Sequence, residues 1–258
     1  MEPIDLVPDL VELASDQLDV ADLAHMPSLH NFHQMAVCAP DLLGVHFWTC
    51  DSQMFVRDGQ RFLEYRSYPR LSLRIDEKKT EATSCRWFAH QAVRSATVDG
   101  WTVTSATRLT FEESGLLYEI RCHNDAGEPR ELDLRIDVTG TVIDAGATTI
   151  LWEDEIQDVL ATAVVTPPDR IEQTGSTVTM RGQPEVQPGA EVVVRLVQAE
   201  GPEPDEVIER ARHRASSFEH AWTATEEGWR ARWRDAFTPG NDHFSGHLPV
   251  LETDDGAV

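Results

Sequence analysis

A chain of 258 residues with seven tryptophans, nine phenylalanines and apolar stretches along its whole length can bury a substantial core, as one large domain or one domain with an appendage. Its 45 acidic against 22 basic residues leave a net charge of −23, a field that repels phosphate backbones and anionic lipid and so excludes nucleic-acid and membrane-surface roles as first expectations. No stretch approaches the roughly eighteen apolar residues of a membrane span, and the first eighteen residues carry acids where a secretory leader carries Lys or Arg, so a cytoplasmic protein is expected.

Lysine occurs only at Lys78 and Lys79; arginine supplies the remaining positive charge. That bias fits a GC-rich genome or a salty cytoplasm, and the overall balance favours neutral or cationic ligands. The four cysteines, Cys38, Cys50, Cys85 and Cys122, are far apart and form no CxxC pair, so structural zinc and redox motifs are not indicated and ordinary buried or half-buried thiols are expected.

Residues 1–40 read as a helical or poorly ordered lead, with Leu6, Leu10, Leu13 and Ala14 at helical spacing among interleaved acids. From 41 to 200 the pattern is that of short strands. Segments 44–50, 62–68, 70–76 and 85–93 are rich in aromatic and β-branched residues. Segments 98–111, 115–124 and 130–142 alternate apolar and polar residues, with Asp99-Gly100 and residues 124–127 between them where hairpins need positive φ. Leu132, Leu134, Ile136 and Val138 share one face and Glu131, Asp133, Arg135 and Asp137 the other, which describes a sheet with one wet side. Segments 176–182 and 190–200 continue the series, with Gln187-Pro188-Gly189 as the turn before the last strand. Many strands joined by short turns predict a mainly β fold, an antiparallel β-sandwich.

After Gly201 the period changes. Val207, Ala211, Ala215, Phe218, Trp222, Trp229 and Trp233 lie on roughly one stripe, which predicts a long amphipathic helix over 203–237, or two helices broken near Gly228. Asp205 and Glu206 suit its positive end, and Thr238-Pro239-Gly240-Asn241 stops it. The tail from His243 reads as a loop followed by Thr253-Asp254-Asp255, a helix N-cap with no helix after it.

The stretch WRARWRDAFTPGNDHFSGHLPVLETDD, from Trp229 to Asp255, resembles the junction in glycosidases and glycoside phosphorylases with an (α/α)6 barrel, the six-hairpin enzymes. In them a galactose-mutarotase-like β-sandwich (a supersandwich) leads through a helical linker into the catalytic barrel. The order of elements here, with residues 188–198 as the last strand, is similar to that layout over 42–258. The resemblance implies that 238–258 is the start of a truncated catalytic domain, so that the family's catalytic acid and base have no counterpart. The expected role is the non-catalytic N-terminal part of a carbohydrate-active enzyme, a glycoside hydrolase of inverting mechanism acting on oligosaccharides. The implied partners are an oligosaccharide or glycoside substrate and the missing barrel, with no cofactor and no metal. A homodimer or looser self-association is expected where surface meant for the barrel lies exposed.

Candidate site residues follow from chemistry. Trp229, Trp233, Phe237, Ser245 and His247 are the candidates for contact with substrate or barrel: a small loop can offer hydrogen bonds to hydroxyls, while Gly246 equally serves a turn with Phe244 and Leu248 as anchors. Glu153, Asp154 and Glu155 beside Trp152 form a carboxylate cluster next to a ring that can stack on sugar, or else a solvated strand end; Glu252, Asp254 and Asp255 read as caps. His243 and His247 are four apart, a spacing that puts metal ligands on one face only in a helix, which Gly246 and Pro249 argue against; His25, His30 and His33 with Cys38 are more loosely spaced and lack an HExxH-type core. Trp48, Trp87, Trp101 and Trp152 form either a sugar-stacking platform or core. There is no Gly-rich phosphate loop, no GxSxG elbow and no Cys/His pair with a recognisable local motif. Two rival roles remain open: a stand-alone carbohydrate-binding module, marked by an exposed tryptophan, or a mutarotase-like enzyme, which needs a His such as His90 or His123 to meet a strand-borne acid.

Overall fold

The computed structural model describes residues 7–31, 34–49, 71–111, 113–153 and 159–248, with the pairs 252–253 and 256–257. The strand expected at 62–68 lies outside them, as do His33, Cys50, Asp154, Glu155, Asp254, Asp255 and the side chain of Trp48. The described chain is mainly β, and its strand pairings are antiparallel. The largest sheet has nine strands in the spatial order Leu18–Asp19, Ser84–Trp87, Ala92–Val98, Trp101–Leu109, Leu116–Asn124, Glu191–Gly201, Val159–Val164, Thr149–Glu153 and Thr141–Ala145. A five-stranded sheet runs Arg170–Thr174, Thr177–Gly182, Leu134–Thr139, Leu71–Ile75 and Lys78–Lys79, and a three-stranded one joins Ser28–His30, Gln34–Cys38 and Val45–Thr49.

Local chemistry explains where strands turn. Asp99 and Gly100 sit at φ 48° and 81°, the left-handed pair a two-residue hairpin needs, so Val98 faces Trp101 as expected. Gly189 at φ 71° makes the turn before the last strand, with the Ala190 amide donating to the Gln187 carbonyl at 3.0 Å. The hairpin expected at 124–127 does not form. Asn124 instead accepts from the Ala126 amide and donates to the carbonyls of Glu128 and Val186, and the chain crosses to the five-stranded sheet. The single strand expected at 85–93 is two strands, because the Phe88 amide donates to the Gln91 carbonyl at 2.8 Å and pairs Trp87 with Ala92. The lead also differs from the helix its spacing suggested. Residues 9–12 make one turn, closed by the Glu12 amide on the Asp9 carbonyl at 2.9 Å, and short strands follow at Leu18–Asp19, Ser28–His30 and Gln34–Cys38.

The period of two sorts side chains between two cores. Leu116, Tyr118, Ile120 and Cys122 enter a large buried cluster that also holds Leu71, Leu73 and Ile75, Leu134, Ile136 and Val138, and Val178 and Met180 of the five-stranded sheet. The opposite face of the nine-stranded sheet sends Leu117, Leu151, Ala161, Ala163, Val197 and Ala199 into a second cluster. The wet side of the five-stranded sheet is a ladder of charge pairs, Arg74 with Asp137 at 3.2 Å and Arg181 with Asp133 at 2.5 Å. Arg94, fully buried, donates from Nη1 to the carbonyls of Ala39, Asp41 and Gly44 and from Nη2 to Thr107, which offsets part of its desolvation and ties the 39–44 loop to the large sheet. Cys38, Cys85 and Cys122 are buried free thiols, and burial pushes Cys122 up to about 12.

Two helices follow the last strand: α1, Pro204–Ser216, and α2, Phe218–Ala236. The break falls at Ser217 (φ −121°, ψ 33°), whose hydroxyl donates to the His213 carbonyl, and not near Gly228. Gly228 lies inside α2 because the ring of Phe111 packs on it; a Cβ there would come within 2.4 Å of that ring. Asp205 and Glu206 occupy the first turn of α1 as expected. The chain end also differs from the expected N-cap: Glu252–Thr253 pairs with Gly256–Ala257 in a short antiparallel ladder. Among the described residues no helix is long and apolar enough to cross a membrane.

Candidate functional site

The sequence points to α2 and the loop after it. Along α2, Arg108 from the large sheet donates to the Trp222 carbonyl at 2.6 Å, lies 4.1 Å from the Trp222 ring centroid and pairs with Glu226 at 3.1 Å. Glu226 pairs one turn on with Arg230, and Arg230 reaches Asp9 at 2.8 Å. Trp229 meets Phe111 edge-on at 5.6 Å. Trp233 donates its indole N–H to the Pro8 carbonyl at 2.9 Å and packs edge-on with Phe237 at 4.8 Å. Trp229 and Trp233 are thus half-buried within the chain itself, one on the 110–115 turn and the other on the N-terminal segment.

Beyond α2 the loop is shaped by Asn241. Its side chain accepts from the amides of His243 and Phe244 and donates to the carbonyls of Thr238 and Gly246. His243 lies 3.3 Å from Asp235, and the Leu248 amide returns to the Ala236 carbonyl. Ser245 and His247 are exposed on this loop. Phe244 and Leu248, considered as anchors, are instead 43% and 50% exposed. An ordered loop therefore presents two apolar and two polar side chains together to solvent.

A cleft of about 610 Å³ opens beside α2, between the turn after Leu109 and the junction of the two helices. Arg210, His213 and Arg214 of α1, Ser217, His220 of α2 and Glu113 line it. Arg214 is 5% exposed; it donates to the Ser114 carbonyl at 2.6 Å and grips the Glu113 carboxylate. That hydrogen bond, working against burial and helped by the charges of Arg214, Arg210 and His213, holds Glu113 below the usual carboxylate range. The turn's backbone is clamped by Asn31, which donates to the carbonyls of Thr110 and Glu113 at 2.7 and 2.9 Å. Such a cleft offers fixed hydrogen-bond donors to a polar ligand.

The other candidates are dispersed. Trp101 and Trp152 are fully buried, their indole N–H groups bonded to Asp76 and Thr162, and belong to the core. Trp87 is 42% exposed, its N–H fixed on the Ser28 carbonyl. Glu153 is exposed at a strand end. His30 bonds Ser28, and Cys38 is buried. Among the described residues no three His, Cys, Asp or Glu side chains converge as metal ligands would. His90 is buried beneath α2, where burial and then the Arg108 charge lower it to about 4; its nearest acid is the helix-borne Glu226 at 3.8 Å, not a strand acid. His123 pairs with Asp125 of the adjoining turn at 2.7 Å.

No family model and no curated protein matches the chain. A solved structure of a protein assigned as a kojibiose phosphorylase, from the human microbiome, superposes with a TM-score of 0.52 at 8% identity over 81% of this chain and 35% of that one. A bacterial glucoamylase complexed with acarbose gives 0.45 at 9% identity over 78% and 34%. A protein assigned as an aldose 1-epimerase, from Klebsiella pneumoniae subsp. pneumoniae MGH 78578, gives 0.37 at 10% identity over 81% and 94%. The likeness is one of fold, and of these three the first alone is close enough to bear on it. The chain spans about a third of the length of the first two proteins.

Sequence reasoning missed the cleft. The signal available was the basic spacing Arg210, His213, Arg214 on one side of a helix in a very acidic chain. Glu113, which completes it, arrives from a distant turn.

Proposed function

We propose that this chain is the β-sandwich and helical linker of a carbohydrate-active enzyme, a glycoside hydrolase acting on oligosaccharides, in which it supports the chemistry performed by a catalytic barrel. The observation that carries this is the fold-level likeness to the phosphorylase-assigned structure over four-fifths of the chain (81%). The nine- and five-stranded sheets sharing one buried cluster are read as the two layers of the sandwich. In the six-hairpin glycosidases that the sequence resembles, a barrel follows such a linker. The face toward it is assigned to the end of α2 and its loop. Trp229 and Trp233 hold α2 in place, Phe237 closes its end, and Ser245 and His247, flanked by exposed Phe244 and Leu248, make the contact.

A photo-crosslinking amino acid at Ser245, activated in the protein's own cells, tests this. The expected product joins this loop to a glycoside hydrolase or phosphorylase catalytic domain, on the same polypeptide or another. Crosslinks confined to a second copy of this chain or to unrelated proteins contradict it. Faster anomerisation of freshly dissolved glucose in the presence of the purified chain would instead support the mutarotase-like reading.

A further inference from the structure

The cleft between the turn after Leu109 and the α1–α2 junction gathers basic side chains in a very acidic chain. The chain carries 45 acids against 22 bases, yet among the described residues that line the cleft two are arginines, Arg210 and Arg214, two are histidines, His213 and His220, and one is an acid, Glu113. Fields from exposed charges fade over about 8–10 Å at cellular ionic strength, so this local set, and not the net charge, decides what enters. We propose that the cleft binds a carboxylate-bearing ligand, a sugar acid, through Arg214 and Arg210, and that Glu113 is the built-in occupant it displaces.

The chemistry is already displayed. A carboxylate sits on Arg214, and the planar guanidinium fork matches carboxylate geometry better than any neutral group does. Arg210 has one guanidinium N–H on the Glu200 carbonyl at 3.0 Å; among the described residues no other acceptor is paired with it, which leaves donors for an incoming anion. The two guanidinium groups differ in support. Arg214 is walled in by the turn and cannot move far, whereas the Glu113 side chain is 65% exposed on a backbone that Asn31 clamps. Exchange therefore requires one side chain to swing outward while the turn stays in place. His213, Ser217 and His220 line the rest of the cleft and can bond hydroxyls, and about 610 Å³ has ample room for a monosaccharide. The carboxylate requirement stands on the cleft; the choice of a sugar to carry it rests on the proposed function.

Calorimetric or NMR titration of the purified chain with glucuronate, glucose and inorganic phosphate tests the proposal. Glucuronate should bind saturably and glucose should bind at least about tenfold more weakly, the worth of one charge-assisted hydrogen bond. E113Q should strengthen glucuronate binding about three- to tenfold by freeing Arg214, and R210Q should weaken it about tenfold. Both variants leave the sheet cores untouched, and unchanged thermal unfolding verifies that they fold. The proposal is overturned by absence of binding to both wild type and E113Q, by weaker binding to E113Q, by indifference to R210Q, or by tighter binding of phosphate than of glucuronate. The Ser245 crosslink is unaffected by any of these results, so failure here and failure of the support-domain reading are distinguishable.

Discussion

The two helices that follow the last strand of the large sheet are joined at one residue, yet different forces hold them. α1 lies on the sheet through small side chains: Val207 and Ala211 are fully buried among Leu117, Leu151, Ala161, Ala163, Val197 and Ala199. Burying a valine of this kind contributes about 1.5–3 kcal/mol, which salt does not screen and pH hardly changes. α2 buries little beyond Phe218 and Thr225. It is held by Arg108 on Glu226 and Trp222, by Arg230 on Asp9, and by the edge contacts of Trp229 and Trp233. The apolar seam that makes α1 a layer of the fold runs on only to Phe218, Ala221 and Trp222 at the start of α2; beyond them polar straps and aromatic edges make α2 the more separable element. An element positioned that way suits a junction between units, since its ties can be remade without disturbing the sheet.

The comparison breaks first if α1 is not core. A211D would leave an unpaired charge among buried alanines and leucines, and should lower whole-chain stability by about 3–5 kcal/mol in urea unfolding. A loss below 1 kcal/mol would show that α1 is as loosely held as α2.

The next effect belongs to the charge under α2. His90 has an ordinary value of 6.5 that its surroundings lower to about 4, burial acting first and the Arg108 charge second. Between those values the unfolded chain takes up a proton that the folded chain refuses, so stability is complete above about pH 6.5 and declines as pH falls toward about 4. The decline amounts to at most about 3 kcal/mol. H90F should flatten that part of the acid limb, as read by chemical unfolding across the window. An unchanged slope would mean that His90 is not sequestered by α2.

A smaller effect sharpens the role of Gly228. G228A gains about 1 kcal/mol of helix propensity, but its methyl would meet the Phe111 ring, and a net loss of about 1–2 kcal/mol is expected. Combined with F111A the loss should shrink, because the ring that clashes is gone. Additive losses would show that Gly228 is not placed there by Phe111. The smallest effect is R230M, which removes half-exposed pairs with Asp9 and Glu226 and should cost about 0–1 kcal/mol globally. Its readout is faster hydrogen exchange in residues 7–14 and along α2, with α1 unchanged; equal acceleration in α1 would merge the two helices into one unit.

Much of this was legible in the chain. The alternation from Glu131 to Val138 reports a sheet with one buried face, and those apolar residues are buried while their neighbours pair charges. Asp99-Gly100 reports its turn because a positive φ at both positions leaves few residue choices. What was not legible depends on distant contacts. Phe88 to Gln91 turns the chain without a Gly, Pro or Asn to mark it. Gly228 reads as a helix break, although its smallness serves a ring from another element. Ser217 breaks the helix with no breaker residue at all. Of the site candidates, the burial of Trp101 and Trp152 and the exposure of Trp87 follow from which strands become neighbours. The Glu113–Arg214 pair exists only once the 110–114 turn has reached α1.

The most direct test of the account is native purification of the protein from its own cells through a tag or antibody, followed by assay for glycoside hydrolysis and phosphorolysis. A support domain predicts that such activity co-purifies, carried on a longer form of the chain or on a bound catalytic partner. Isolation of a species of the chain's own mass, with neither activity nor a catalytic partner, would contradict that claim.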